Sequence, residues 1–525
     1  MTKSTSINKL IDVLNKFWIY LLGLGVIILN YSLAFDNVVW GDEAYSQMAI
    51  INTNLHGVYE RVYYWDSHPP LYYYYLKFIA DIFGYQTPVY HIASLVPFTI
   101  GIILACTLIK KHIGLIPAAL FIIISGLSES CVEYNLEIRM YSLVFMFVLL
   151  SSYIAYRIIC GNNKAIYFVL LTLFGVLGAY THYYGLAVCG LIVFFTGLFN
   201  LLNTKEHKAQ SILKWVLSTI LYIVCYIPWL FVLYFQTQAE LGASWMTEPD
   251  ALSLVLRFIC GGGRLKPIIL TLIIGLSIVI LINDSGLLSI SKGHTKCSVE
   301  IALNRPSKKN WSDELKTILL MWVCIGGLLG FGYGVSYGFH PILAYRYTYV
   351  LIPLTLMILM LSIKRIISYV YDFTMDKNIA FSTPFKGFMS VLLCILLLAV
   401  LLLSLFDFKY FRSVTKTQNV QTNMVLDIVG TPSENAVLVS NGVKHLSWSV
   451  LPYYYDNEVT TWNPDEVEEK LGISTDEFWC FNGYEYEDKY IRSMKKEGYT
   501  IDEYPDMWLG KYNIYLYHFY KLRNS

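Results

Sequence analysis

Residues 40–45 read Trp-Gly-Asp-Glu-Ala-Tyr and residues 66–72 read Asp-Ser-His-Pro-Pro-Leu-Tyr, shortly after the first long apolar segment of the chain. These two stretches bring adjacent acids, a histidine and a rigid proline pair close to a hydrophobic segment. Carboxylates beside a membrane are costly unless water solvates them or a function uses them. The two stretches therefore favour a membrane enzyme over a transporter.

The composition is typical of a membrane protein. Hydrophobic residues make up 56% of the 525 residues and charged residues only 15%, whereas soluble proteins carry about 25% charged residues. Apolar runs of roughly 20 residues recur, and a run that crosses a bilayer must be helical because lipid cannot satisfy its backbone. The net charge of +1 gives no indication of nucleic-acid binding. We therefore predict a polytopic α-helical membrane protein that does not bind nucleic acid.

The ten cysteines are scattered and form no Cys-x-x-Cys pair. This spacing supports neither a disulfide framework nor a zinc knuckle. The chain also contains no phosphate-cradling Gly-x-Gly-x-x-Gly or Gly-x-x-x-x-Gly-Lys loop, so no nucleotide-sugar site of that kind is predicted.

Hydropathy predicts about eleven membrane spans. Their order and spacing leave one long loop after the first span, which contains both polar stretches. The predicted spans are at about 17–36, 89–109, 113–127, 139–159, 165–181, 184–203, 212–234, 266–284, 315–336, 346–364 and 387–407.

Basic residues predict the orientation, because cytoplasmic loops are enriched in lysine and arginine. With the N-terminus inside, every inward loop is basic, as shown by Lys110 with Lys111 and by Lys364 with Arg365. A twelfth span at 70–84 would place the later lysines outside. Pro69–Phe83 is therefore predicted to be a juxtamembrane helix at the interface. The protein is expected to be a multi-pass protein of the plasma or inner membrane with a cytoplasmic N-terminus.

The composition changes after the last span, which divides the chain into a membrane domain, 1–409, and a second domain, 410–525. The second part is polar, and short apolar strands alternate with charged helical stretches, which is typical of a small α/β domain. The orientation places this domain outside the cytoplasm. Its predicted strands are Ala436–Ser440, Glu477–Phe481 and Ile514–Phe519, and its predicted helices are Pro464–Leu471 and Lys489–Gly498.

The acids at positions 42 and 43 are the first candidate catalytic residues. Asp42 could act as a general base toward an acceptor hydroxyl or amine held within hydrogen-bond reach. The alternative is a solvated loop acid, with Asp42 capping a short helix over Glu43–Ile50. The motifs predict no metal site and no other cofactor, although Asp42 and Glu43 together could bind a divalent cation.

Asp66 and His68 form the second candidate cluster. The Pro-Pro pair fixes the backbone and starts a helix at residue 70, which aims the preceding side chains. His68 could donate to a phosphate or to a sugar hydroxyl. The alternative is that the stretch serves only to start the helix.

The segment 128–141 provides a third cluster. Glu133, Glu137 and Tyr141 are spaced four residues apart and would share one helix face. Arg139 could bind a phosphate in a forked geometry, extend toward water from the membrane edge or form a surface pair with a glutamate.

Two further clusters lie at the ends of later spans. His182 lies in the Thr-His-Tyr-Tyr stretch 181–184, and Tyr345 with Arg346 begins a strongly apolar span. Arg346 could anchor to lipid headgroups or bind a lipid-linked phosphate. All five clusters fall on the outer face of the predicted topology, which favours a shared site over five unrelated structural roles.

These motifs occur in the order seen in bacterial family 39 glycosyltransferases of the GT-C superfamily, which includes protein O-mannosyltransferases and the lipid A aminoarabinose transferase. The resemblance covers roughly 1–370 and implies a GT-C fold. The C-terminal domain is similar only in its placement. The motifs are Gly41-Asp42-Glu43-Ala44-Tyr45, His68-Pro69-Pro70-Leu71-Tyr72, Glu137-Ile138-Arg139-Met140-Tyr141-Ser142, Thr181-His182-Tyr183-Tyr184 and Arg346-Tyr347.

The resemblance also implies a mechanism. A polyprenyl-phosphate sugar would be the donor, a glycan, glycolipid or protein would be the acceptor, and transfer would invert the anomeric centre. Asp42 would be the general base, and Arg139 with Arg346 would neutralise the leaving lipid phosphate. The other residues expected to orient neighbours or to bind donor and substrate are Glu43, Asp66, His68, Glu137, His182 and Tyr345.

Two other functions stay open from the sequence. A transporter or flippase for a lipid-linked sugar would place ionisable residues at mid-membrane and often shows internal repeats, but the predicted spans have almost no such residues and no repeat. A polysaccharide polymerase or ligase of GT-C type would share the architecture and use a diphosphate-linked donor.

Overall fold

The computed structural model divides the chain into two compact units. The first contains Met1–Tyr31, Leu55–Tyr75 and Ala93–Phe408, and the second contains Ser32–Asn54, Leu76–Ile92 and Lys409–Ser525. The second unit therefore includes, besides the C-terminal region, two segments that the sequence-based division assigned to the membrane domain. The structure describes residues 2–203, 208–241, 266–286, 288–292, 299–303, 311–375, 382–443, 445–462, 466 and 476–522.

Helices dominate the described part of the chain. Seven of them are long and apolar enough to cross a bilayer, and one bent pair adds an eighth if it counts as a single span. Each predicted span overlaps a helix, so a multi-pass helical membrane protein is confirmed. The helices that overlap the eleven predicted spans, together with Glu129–Leu136 of the bent pair, are Thr2–Leu33, Thr87–His112, Leu115–Leu127, Glu129–Leu136, Tyr141–Ile159, Ala165–Ala179, Tyr183–Asn203, Lys208–Leu241, Lys266–Asp284, Asp313–Gly338, Ile352–Met375 and Ser382–Val429.

Short helices occupy the long loop after the first helix, as predicted. They are Gly41–Met48, Leu55–Trp65 and Leu71–Phe83. The last of them begins one residue after the Pro-Pro pair, because proline has no backbone donor and its fixed φ suits a helix start. A loop predicted at 285–314 contains a two-stranded antiparallel sheet of β1 (Leu288–Lys292) and β2 (Val299–Leu303).

The helical path breaks twice before Tyr141. Leu115–Leu127 and Glu129–Leu136 meet at a bend of 66°, where Ser128 has an extended backbone. The second helix ends at Leu136, and its C-cap residue Glu137 leaves the helical conformation with a ψ of 134°. The prediction that Glu133, Glu137 and Tyr141 share one helix face is therefore wrong, because the helix ends before the second of them.

The C-terminal part of the second unit contains a five-stranded sheet, which confirms the predicted sheet domain. Its order is β4-β3-β5-β7-β6; β3 is parallel to β4 and β5, while β7 is antiparallel to β5 and β6. A π-helical turn at Leu446–Val450, a short helix at Leu451–Tyr454 and a helix at Asp488–Lys496 complete this part. The strands are β3 (Val437–Asn441), β4 (Val459–Thr460), β5 (Glu477–Asn482), β6 (Thr500–Leu509) and β7 (Tyr512–Tyr520).

Both faces of the sheet are buried, since successive strand residues point to opposite faces. Leu438 and Phe481 pack on one side with Val425 from the end of the helix Ser382–Val429. Phe478 and Met494 pack on the other side, with the helix Asp488–Lys496. The predicted helix Pro464–Leu471 lies outside the described residues, except for Glu466.

Candidate functional site

A buried hydrogen-bond network is centred on Asp66 in the first unit. Its carboxylate accepts from the Ser67 backbone N–H at 2.7 Å, from His68 Nδ1 at 2.7 Å and from the Tyr73 hydroxyl. The side chains of Asp66 and His68 are only 5% and 6% exposed. The network is therefore formed by residues of one turn and of the first helical turn that follows it.

The backbone around this turn is tied to a neighbouring loop. The Pro69-Pro70 pair precedes the helix Leu71–Phe83, and the Leu71 N–H donates to the Tyr180 carbonyl at 3.1 Å. Tyr180 follows the helix Ala165–Ala179 and is two residues from His182. This backbone bond holds the loops of residues 66–71 and 180–184 side by side.

Arg139 brings a positive charge to the network. Its Nη1 donates to the Tyr73 hydroxyl at 2.8 Å and lies 4.0 Å from Asp66 Oδ2. Burial alone would raise the pKa of Asp66, but the charge and hydrogen bond of His68, with further contributions from Arg139 and Tyr73, hold that pKa well below its usual range. Asp66 is therefore an ionised carboxylate facing a buried guanidinium.

The hydrogen bonds of His68 define which ring nitrogen carries its proton. Nδ1 lies 2.7 Å from Asp66 Oδ1 and 3.2 Å from Arg139 Nη2. A carboxylate only accepts and a guanidinium only donates. The shorter contact therefore indicates that Nδ1 carries a proton and donates it in a hydrogen bond to Asp66.

His182 has the opposite arrangement. Its Nδ1 accepts the Tyr184 backbone N–H at 3.0 Å, and the side chain is buried. Burial lowers the pKa of His182 well below its usual value, and the nearby His68, Arg139 and Arg346 lower it further. The ring is therefore neutral with its proton on Nε2, and this buried Nε2–H has no hydrogen-bond partner among the described residues.

Aromatic rings surround His182. Its ring centroid lies 5.2 Å from His68, 5.4 Å from Tyr347, 5.6 Å from Tyr184 and 6.0 Å from Tyr141. The Tyr141 hydroxyl is also buried without a hydrogen-bond partner within the described part of the chain. Two neutral hydrogen-bond donors, His182 Nε2–H and Tyr141 O–H, thus belong to one buried group of rings. The described residues offer neither of them an acceptor.

The other predicted donor-binding residues differ in their burial. Arg346 is half-buried, its guanidinium lies 5.4 Å from the Tyr347 ring centre, and its charge acts on His182. Glu137 is buried, and its carbonyl accepts the Arg139 N–H at 2.7 Å in the turn that presents Arg139. Tyr345 is 53% exposed, so its side chain is not enclosed with the others.

Asp42 and Glu43 belong to the second unit. They lie in the first turn of the helix Gly41–Met48, whose N-cap position is Trp40. The alternative that Asp42 caps a helix over Glu43–Ile50 is therefore wrong, since Asp42 is already helical. Its side chain is half-buried, and carboxylates in a first helical turn are favourably placed by the helix dipole.

Glu43 is fully buried beside Asp42. Its Oε2 accepts the Trp40 N–H at 3.2 Å, and its Oε1 lies 3.9 Å from Nδ1 of the equally buried His91. The His91 Nε2 lies 3.5 Å from the Asn37 side-chain amide. Glu43 therefore holds the start of this helix, while Asp42 remains the more accessible of the two acids.

No protein-family model and no curated protein sequence matches the chain. The crystal structure of ArnT from Cupriavidus metallidurans in the apo state matches with a TM-score of 0.57 at 11% identity, over 95% of this chain and 97% of that chain. The chain has the GT-C fold. The ArnT structure bound to undecaprenyl phosphate matches with a TM-score of 0.49 at 11% identity, over 95% of this chain and 98% of that chain.

The likeness concerns the fold alone, and membership in family 39 stays a prediction. Two side chains beside the candidate residues were not predicted from the sequence. They are Tyr73, which is hydrogen-bonded to both Asp66 and Arg139, and His91, which lies beside Glu43. Tyr73 lies in the helix predicted at the interface, and its position in the first turn of that helix, shortly after Asp66, was a usable signal. Among the described residues, no group of three or more histidine, cysteine or acidic side chains is arranged to hold a metal ion.

Proposed function

We propose that the protein transfers a sugar from a polyprenyl-phosphate donor to an acceptor on the outer side of the membrane. The observation that carries this proposal is the buried group of donors formed by His182 and Tyr141 beside Arg139. Buried polar groups are normally hydrogen-bonded, so two unmatched neutral donors near a guanidinium favour an anionic ligand with several acceptor oxygens. A lipid-linked phosphate has this chemistry and suits a chain with the GT-C fold.

The charge change of the reaction supports the same assignment. In the donor, the phosphate is a diester with one negative charge; after transfer it is a monoester that carries a second. Hydrogen-bond donors that point at a developing negative charge lower the activation barrier most when they are already in place before the reaction. Arg139 and Arg346 would supply positive charge, and the His182 Nε2–H and the Tyr141 hydroxyl would add neutral donors.

Asp42 would act on the acceptor. Its carboxylate takes the proton of the attacking hydroxyl or amine while the acceptor atom forms a bond to the anomeric carbon. The bond from that carbon to the phosphate oxygen breaks, and its electron pair leaves with the polyprenyl phosphate. One displacement of this kind inverts the anomeric centre, and His68 and Asp66 would orient the groups bound beside Arg139.

The proposal includes the predicted orientation and domains. The N-terminus would be cytoplasmic, residues 1–409 would form the membrane domain, and the region 410–525 would be an extracytoplasmic domain. The acceptor would be a glycan, a glycolipid or a protein that reaches the outer face.

The test uses purified protein in detergent with a panel of radiolabelled undecaprenyl-phosphate sugars and candidate acceptors. Transfer from one monophosphate donor by the wild type, but not by Asp42→Asn, is the expected result. Transfer from diphosphate-linked donors alone would favour a polymerase or ligase. Flipping of labelled lipid in liposomes without any transfer would replace the proposal with a flippase.

His182→Ala is expected to weaken donor binding and to lower kcat/KM by about 10- to 100-fold, because a hydrogen bond to a charged group contributes about 1.5–3 kcal/mol. His182→Gln restores a side-chain N–H and should recover part of that loss. Equilibrium binding of the labelled donor and initial transfer rates measure both effects. His56→Ala is the control, since His56 is an exposed histidine of the helix Leu55–Trp65; an equal loss in this variant would contradict the assignment of His182.

A further inference from the structure

The helix that carries Asp42 begins against residues from the C-terminal end of the chain. The Gly41 N–H, one residue before Asp42, donates to the Tyr512 hydroxyl at 3.2 Å. A Cβ added to Gly41 would lie 2.7 Å from the His445 Cβ and 2.9 Å from its ring. No side chain other than hydrogen fits at position 41 without displacing His445.

The turn before Tyr512 also lies close to Val39, two residues before the helix Gly41–Met48. Gly510 has a φ of +61°, and a Cβ there would lie 2.3 Å from the Val39 carbonyl oxygen. The Gly510 N–H donates to Thr422 Oγ1 at 3.0 Å in the buried interior. The turn between β6 and β7 is thus fixed to the helix Ser382–Val429 and pressed against the backbone at Val39.

The Tyr512 hydroxyl is suited to accept from Gly41 throughout the physiological range. Burial raises the pKa of Tyr512 to about 12; the bond from Gly41 and the charge of Lys511 oppose this rise, while Asp42 and Glu43 add to it. The hydroxyl therefore stays neutral.

We propose that His445, Gly510 and Tyr512 form a C-terminal clamp that positions Asp42 for proton transfer. The clamp fixes the backbone on both sides of Trp40 and sets where the first turn of the helix Gly41–Met48 lies. Its members are positioning residues, because they contact the backbone that carries the base and not the reacting atoms. This inference rests on the proposed function, and it gives the C-terminal region a role in the chemical step that does not depend on the choice of acceptor.

Two glycines give a matched test. Gly510→Ala introduces both a strained positive φ and the overlap with Val39, whereas Gly430→Ala introduces the same strain, at a φ of +60°, with nothing within 4 Å of the new Cβ. Misplacement of a catalytic group by about 1 Å can lower a rate by about 100-fold. We expect Gly510→Ala to lower kcat by about 10- to 100-fold relative to Gly430→Ala, with little change in the KM for donor.

Tyr512→Phe separates the hydroxyl from the packing of the ring. It removes the acceptor for the Gly41 N–H and should lower kcat by about tenfold while donor binding is unchanged. Tyr520→Phe makes the same chemical change at the other end of β7 and should leave kcat unchanged. Melting temperatures of the four variants show whether each protein is folded.

Hydrogen–deuterium exchange gives a readout that does not need activity. Peptides covering residues 38–48 should exchange faster in Gly510→Ala and Tyr512→Phe than in the two controls. Equal exchange and equal kcat in Gly510→Ala and Gly430→Ala would overturn the clamp while leaving the proposed function intact. If the wild type uses no donor at all, the proposed function fails, and unchanged exchange at residues 38–48 would then reject the clamp as well.

Discussion

Asp42→Asn is expected to lower kcat for sugar transfer by about 10²- to 10⁴-fold, the range that a positioned general base contributes. Asparagine has nearly the same size but cannot take a proton from the acceptor. The helix should persist, because its N-cap is Trp40 and Glu43 still accepts the Trp40 N–H. Single-turnover transfer from a labelled donor measures the loss, and donor affinity should be unchanged.

The controls for Asp42 separate chemistry from charge and folding. Asp36→Asn removes a half-buried carboxylate from the same loop and should leave transfer intact. Asp42→Glu keeps the carboxylate but moves it by one methylene, so partial activity is expected. Transfer at the wild-type rate by Asp42→Asn would remove Asp42 from the mechanism and leave the half-buried acid without a catalytic role.

Glu43 should respond differently from its neighbour. It is fully buried, accepts the Trp40 N–H and faces His91. Glu43→Gln would replace one carboxylate oxygen by an amide NH2 group, so one of the two positions that now face the Trp40 N–H and His91 Nδ1 would become a donor. The expected effect therefore falls on stability as well as on rate, whereas the effect of Asp42→Asn falls on rate alone.

The membrane helices could be predicted because hydrocarbon imposes one local rule on every span: a long apolar run that satisfies its own backbone. The turn at Asp66–Pro70 was also local, since proline fixes the backbone there. The end of the predicted span 113–127 agrees with the end of the helix Leu115–Leu127, but the end of the next helix before Glu137 was not predicted. The spacing of Glu133, Glu137 and Tyr141 still fits a helix, so the local pattern gives no sign of this end. Ile138 and Met140, which follow it, are both fully buried.

The C-terminal sheet was also predicted only in part. The strands β3, β5 and β7 were predicted from short apolar runs, but β6 was missed because its sequence contains Pro505 and several acids. It is an edge strand in the sheet order, with an irregularity between Tyr504 and Met507, where proline is tolerated. An edge strand needs only one apolar face and one partner, so periodicity alone gives a weak signal.

The surroundings of Asp42 could not be predicted from any local pattern. Gly41 and Tyr512 are separated by 471 positions in sequence, and neither residue type indicates such a pairing. His445 and Gly510 meet the same short segment from two other parts of the chain. The sequence could nominate Asp42 as a base from its neighbours, but the residues that hold it are known only from the tertiary structure.

Arg139→Lys is expected to lower kcat/KM by at least about 100-fold. Arg139 reaches Tyr73 with Nη1 and approaches both Asp66 and His68, which needs the planar fork of a guanidinium. A lysine ammonium keeps the charge, so Asp66 is not left as an unpaired buried anion. The protein should therefore fold, while the geometry offered to the donor phosphate is lost.

Arg139→Gln adds a second effect, because it removes the charge as well. Breaking a buried ion pair from one side costs about 3–5 kcal/mol, so this variant should melt at a lower temperature than Arg139→Lys. Arg157→Lys is the matched control, since Arg157 is in the last turn of the helix Tyr141–Ile159. If Arg157→Lys loses as much activity as Arg139→Lys, the loss reflects a general need for arginine in this part of the chain. If only Arg139→Lys fails, and donor binding weakens with it, the guanidinium at position 139 recognises the lipid phosphate.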